Sequence, residues 1–213
     1  MDYRINNFGI AIYDNFLPYG RLKIMSARTT WAISLAEAKA HLRIDSSYTG
    51  DDVYITSLIK MAQNIVEKEA GMLMTEVTMK YIADGFLPVI DLGFSGNSVA
   101  HVKYNDSSGS LQILTPDTDY KVSNLDYPNA TIRIYPAKDK DWPTTEDAPD
   151  CVEVLFNAGP SEALQIPEGL IQAMYLVIGR YYEMRQDVIS GTIVYKVPLG
   201  AQHLINQYRQ TTI

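Results

Sequence analysis

The sequence predicts an α+β protein: a small helical bundle, with helices before and after, interrupted by an inserted β-rich lobe. Three observations predict this. Apolar residues recur at helical spacing in 35–42, 55–70 and 170–182. Between Thr75 and Ala158 they alternate with a period of two. The 213 residues, 46% of them apolar, are enough for a real core, and helices that each carry one apolar stripe must pack on one another to bury it.

The first 33 residues read as an arm, or as a dispensable lead-in to a domain that begins at Met25-Ser26. Tyr3, Phe8, Tyr13, Phe16 and Tyr19 fit neither period, Pro18-Tyr19-Gly20 signals a turn, and Arg4, Arg21, Lys23 and Arg28 outnumber Asp2 and Asp14. The first helix starts at Ser34, with Glu37 three residues on: a capping box that satisfies two orphan N–H groups. Leu35, Ala38 and Leu42 form its apolar face. After a loop over 44–51, a longer helix begins near Asp51-Asp52, two acids suited to the positive end of its dipole. Ile55, Leu58, Ile59, Ala62, Ile65, Val66 and Ala70 line one side, and Gly71 ends it.

The lobe over 75–158 holds the alternating runs. They are Val77-Met79-Tyr81, Val102-Tyr104, Leu111-Ile113, Tyr120-Val122, Ile132-Ile134 and Val152-Val154-Phe156. Residues 106–109 make a hairpin turn, and prolines punctuate the other runs. The loop 139–150 holds five acids and one lysine, a local charge of −4. Helical spacing returns after Pro167, with Leu170, Ile171, Met174, Tyr175, Ile178, Tyr181 and Tyr182 forming a wide stripe. A last short helix fits 200–209. The expected division is thus an arm at 1–33, a bundle from 34–74 and 159–190, the lobe at 75–158, and a C-terminal segment at 191–213.

Composition narrows the function. The net charge of −7, from 25 acids and 18 bases, opposes a protein that grips DNA by neutralising phosphates. Cys151, the single cysteine, can form neither an internal disulfide nor a cysteine-rich zinc site, and it fits a reducing compartment. No run of about 18 apolar residues exists to span a membrane, and residues 1–12 lack the pattern of a secretion signal. His41, His101 and His203 lie on separate segments without metal-binding spacing. Asp45, Asp51 and Asp52 depart from the EF-hand pattern, and helix capping explains two of them. No phosphate-cradling glycine motif or nucleophile elbow is present. No catalytic residue, metal or cofactor is expected. Fifteen tyrosines are more than one core of this size usually hides, which points to interfaces.

The ordered series of segments resembles the tailed-bacteriophage head-to-tail connector (adaptor) proteins. Leu35-Ala-Glu-Ala-Lys-Ala-His-Leu-Arg-Ile-Asp45, Asp51-Asp52-Val-Tyr-Ile55 and the stretch 62–67 are similar to the family's opening. Asp119-Tyr120-Lys-Val122, Arg133-Ile-Tyr-Pro136, Trp142-Pro143 and Val154-Leu-Phe-Asn-Ala-Gly159 follow in the family's order. The stretch 167–183 and Val197-Pro-Leu-Gly200, with Leu204 and Tyr208-Arg209, close it. The resemblance covers about 34–210. No single motif is specific, but the order is. Pro160 stands where the family usually carries an aromatic, and residues 1–30 have no counterpart.

The resemblance implies a structural virion protein: a ring, usually of twelve copies, between the portal and the next neck or tail-completion protein. DNA would pass through the ring without sequence-specific binding. The protein would be made in the bacterial cytoplasm and end at the head–tail junction. The acidic balance suits a conduit whose wall repels phosphate. Two rival readings are a carboxylate-dependent glycan hydrolase, marked by raised carboxylate pKa values, and a DNA-binding packaging factor, marked by salt-dependent binding. In the connector reading, portal docking is expected at the C-terminal segment through Tyr195, Lys196, Pro198, Leu204, Tyr208 and Arg209. That segment reads as too short to bury these side chains in a core of its own; the alternative reading is a helix folded back on the bundle.

Overall fold

A computed structural model describes residues 3–5, 11–13, 20–25, 28–127, 130–162, 166–184 and 198–209, with backbone only for the first two stretches. The chain divides into two units, one of residues 1–29 and 75–161, the other of 30–74 and 162–213. The α+β class is as expected.

The helical unit is built from α1 (Leu35–Leu42), α2 (Asp52–Ala70), α3 (Glu168–Glu183) and α4 (Leu199–Asn206). The capping box forms: the Glu37 N–H donates to Ser34 Oγ at 3.2 Å and the Ser34 N–H to Glu37 Oε2 at 2.7 Å. Those bonds, the hydroxyl's foremost, hold the Glu37 carboxyl below its ordinary pKa. Gly71 ends α2 at φ 72°, in the left-handed region. Asp51 sits at the N-cap of α2 without capping it; its carboxylate accepts from the Tyr182 hydroxyl at 2.6 Å, and Asp52 pairs with Lys39 at 2.5 Å. Lys39 also donates to the Tyr48 carbonyl at 2.7 Å, tying down the loop between α1 and α2. The core is the predicted stripe: Ile55, Leu58, Ile59, Ala62 and Val66 of α2 meet Leu170, Met174 and Ile178 of α3. Beside it, buried Glu67 accepts from the Met74 N–H and from Gln63, whose own amide oxygen accepts from the Ala32 N–H.

The β unit contains ten strands among the described residues, in three sheets. A hairpin pairs β1 (Tyr3–Ile5) with β2 (Ala11–Tyr13). A five-stranded antiparallel sheet runs β3-β4-β10-β6-β7, from β3 (Gly20–Ile24), β4 (Val77–Ala83), β10 (Val152–Ala158), β6 (Gly96–Asn105) and β7 (Leu111–Leu114). A three-stranded sheet runs β5-β9-β8, from β5 (Ile90–Asp91), β9 (Arg133–Pro136) and β8 (Tyr120–Ser123). The alternation is realised: Val77, Met79, Tyr81 and Ala83 are buried, as are Val152, Val154, Phe156 and Ala158, while the residues between are half-exposed. One face of the large sheet therefore lies in the core and the other is open. The 106–109 turn closes β6 onto β7 with Gly109 at φ 79°.

Two expectations need correction. Residues 20–24, assigned to an arm, form β3, an edge strand paired with β4 along its whole length. Gly20 passes so close to the buried Tyr81 ring that a Cβ there would overlap it. Leu22 and Ile24 are too few to announce a strand, and the partner that makes one lies far along the chain. The C-terminal segment, read as a docking segment too short for a core of its own, instead folds back on the bundle: Ala201 and Ile205 of α4 are fully buried there.

Candidate interaction surfaces

The proposed docking residues fall in three groups. Tyr195 and Lys196 lie outside the described residues. Pro198 occupies the N-cap of α4, and Leu204 and Tyr208 are half-buried against the bundle core. Tyr208 lies over Gly169 of α3, where a Cβ would come within 2.6 Å of its ring, so the glycine makes the seat. Arg209 reaches Glu69 of α2 at 3.5 Å. The structure thus brings Leu204, Tyr208 and Arg209 together by turning them toward the bundle. The outward residue is Leu199, 66% exposed, and the Leu176 side chain lies against neighbouring Gly200. Helical spacing alone did not single out Leu176 or Leu199, because which side of α4 faces out depends on where α3 lies.

The three histidines are set apart, and two of them make local contacts. His41 stacks on Tyr175 with ring centroids 4.8 Å apart, His101 bonds Glu153 at 3.1 Å, and His203 is exposed. Cys151 is buried, its Sγ 2.9 Å from the Asp84 carbonyl. Among the described residues, no group of three or more His, Cys, Asp or Glu is placed to hold a metal ion. No helix among them is long and apolar enough to cross a membrane.

The carboxylates with resolved shifts all favour the charged form. A glycosidase needs one acid held protonated by burial or a like charge. Every shift resolved among the described carboxylates is downward. Asp106 is the extreme, held at about 2 chiefly by the Ser108 hydroxyl, then by Gln112 and the Ser108 and Ser110 amides. Asp84 is lowered chiefly by the Asp150 N–H, with Arg21 adding its charge. At Glu153, burial pushes upward, but hydrogen bonds and charge from Lys80 and His101 outweigh it. These are anions kept charged.

The open face of the five-stranded sheet is the most distinctive surface of the β unit. Register places Lys23, Lys80, Leu155 and His101 in one row, and Arg21, Ile82, Glu153, Lys103 and Ile113 in the next. Lys80 pairs with Glu153 at 2.7 Å, and Arg21 with Asp84 and Asp150 at the sheet's end. At the β7 edge, Leu111 and Ile113 are 63% and 62% exposed. Their alternation reads as core, but β7 is the sheet's last strand among the described residues and both side chains lie on its open face.

This arrangement defines a two-part α+β protein. Residues 32–113 match the family model for phage gp6-like head-tail connector proteins, as the ordered sequence segments anticipated. Among solved structures, the chain is similar to a protein in the neck of an empty gene transfer agent (GTA) particle computed with C6 symmetry. The two share 21% identity, with 91% of this chain and 97% of the other covered and a TM-score of 0.69. A chain from the virion of the native GTA particle matches at 21% identity, with 90% and 96% covered and a TM-score of 0.69. One from the neck of the native particle computed with C12 symmetry matches at 20%, with 91% and 97% covered and a TM-score of 0.64. At these identities the structures establish a shared fold over nearly the whole length of both chains. No curated protein matches.

Proposed function

We propose that the protein is a structural connector of a tailed-phage or phage-like particle, forming a ring between the portal and the next neck or tail-completion component. The observation that carries this reading is the connector-family match over 32–113, set in a fold shared almost end to end with proteins from particle necks. Neck structures of both six- and twelve-fold symmetry support a ring of twelve copies. The ring sits at the head–tail junction and extends the DNA channel. Its net charge of −7 per copy keeps phosphates from adhering to the wall. In this role the chain needs no catalytic residue, metal or cofactor.

The portal contact stays with the C-terminal segment, now assigned to the outward side of α4. Leu199 offers apolar surface while Leu204, Tyr208 and Arg209 hold the helix in place. Removing 202–213 would strip Ile205 from the core, so substitution at the surface is the cleaner perturbation. Purified protein mixed with portal-containing, tail-less heads should add a ring under the portal, visible by particle imaging. Leu199→Asp should fold normally and leave the heads bare. Undiminished occupancy by that variant would move the portal contact elsewhere, and heads left bare by the unaltered protein would overturn the connector reading.

A further inference from the structure

We propose that the open face of the five-stranded sheet receives the acidic 139–150 loop of a second copy, joining copies head to tail. This rests on the ring reading above and supplies its subunit contact.

The face is basic in an acidic protein. Arg21, Lys23, Lys80 and Lys103 are set against Glu153 on the strands and Asp84 and Asp150 at the sheet's end, four minus three giving +1, whereas the whole chain carries −7. Lys23 stands directly opposite Lys80, a like-charge cross-strand pair that weakens a sheet unless an anion approaches. Glu153 answers Lys80 and His101, and Asp84 and Asp150 answer Arg21. Among the described residues, Lys23 and Lys103 have no carboxylate partner within the copy.

The loop has the complementary surplus. Lys140 is engaged by Asp119 at 2.8 Å, and Asp150 by Arg21. Asp139, Asp141 and Asp147 are exposed, with no cationic partner among the described residues. The loop is tied to its own copy by the bridge between Thr145 and Asp106 and by the Glu146 N–H on the Asn105 carbonyl at 3.0 Å. Thus held, its three free acids do not pair with Lys23 or Lys103 of the same copy.

Leu111 and Ile113 decide between a protein and a nucleic acid as occupant. Each lies on the open face, opposite Asn105 and Lys103 respectively. A phosphate backbone would leave these side chains in water, whereas a protein segment covers them and meets the lysines together. Apart from Asp150, which pairs with Arg21 of its own copy, face and loop are different patches, so the contact is heterologous. Such contacts close into rings when the rotation permits.

The test uses the full-length chain, with portal supplied, and reads ring content by native mass spectrometry and imaging. One variant carries Lys23→Glu and Lys103→Glu; the other carries Asp139→Lys, Asp141→Lys and Asp147→Lys. Circular dichroism melts confirm that both fold, and all these positions are exposed or half-exposed. Each variant alone should need roughly tenfold more protein to assemble, because like charges now meet across the contact. Mixed in equal amounts they should recover assembly, since each face then meets an oppositely charged loop, and the rings should contain the two variants in equal number. Rings from both variants alone at the unaltered concentration, or no recovery on mixing, would overturn the contact while leaving the ring reading intact. A lysine variant that forms normal rings but loses DNA retention would assign the face to DNA and also overturn it. If the unaltered protein forms no ring even with portal, both readings fall.

Discussion

Ile205 decides whether α4 is an integral part of the bundle or only rests on it. Its side chain is fully buried, and Ile205→Ala removes three carbon atoms from that site. At about 0.8 kcal/mol per buried carbon the transfer loss is roughly 2.4 kcal/mol. The cavity left between packed helices raises this to about 3–4 kcal/mol. Leu204, half-buried, should cost about 1 kcal/mol on truncation, and Leu199, 66% exposed, less than about 0.5 kcal/mol. The assay is urea unfolding followed by fluorescence of Trp31, which packs beside the bundle core, in a Trp142→Phe background that removes the reporter of the other unit. A helix held in the core gives the order Ile205, Leu204, Leu199. Three values all within about 0.5 kcal/mol of zero would show that α4 is not part of the folded bundle, and the assignment of its outward face would fail with it.

Three further outcomes follow from particular contacts. Lys39→Met should destabilise the bundle by about 2 kcal/mol in the same assay; a buried pair costs more to break, but Asp52, 28% exposed, regains some water. Asp106, lowered to about 2 from an ordinary 3.8, contributes stability that is complete above the ordinary value and lost as pH falls through about 2. The unaltered protein's urea midpoint should therefore fall more steeply than that of Asp106→Asn between about pH 4 and pH 2. Gly20→Val should push β3 off the Tyr81 ring at a cost of about 1–3 kcal/mol, read as faster hydrogen exchange at residues 21–24 with α2 unchanged.

Local chemistry made much of the fold readable. Ser34 and Glu37 define a helix start within four residues, Gly71 defines a stop, and the alternation in Val77-Met79-Tyr81 and Val152-Val154-Phe156 is the burial pattern itself. What stayed hidden depended on partners distant along the chain. The strand β3 exists because Leu22 and Ile24 lie beside Tyr81 and Met79, some 55–59 residues away. One side of α4 is buried because α3 and α2 lie beneath it, and Gly169 of α3 seats Tyr208 just beyond its end. The same reasoning explains the surfaces. Leu111 and Ile113 carry a core-like period but occupy the sheet's last strand, and Lys23 and Lys103 belong to one surface only once the register is known. A docking segment could be chosen from its tyrosine, arginine and proline content. Which of its side chains turn outward could not, since Leu199 differs from Ile205 only in where α3 lies.

The central claim is tested most directly by imaging the head–tail junction of intact particles that carry this chain, without imposing symmetry. The connector reading expects density for both units in a closed ring directly beneath the portal, with twelve copies around the channel and an acidic loop of each copy against the lysine-bearing sheet of the next. Particles whose necks are complete and hold no copy of this fold between portal and tail would contradict it.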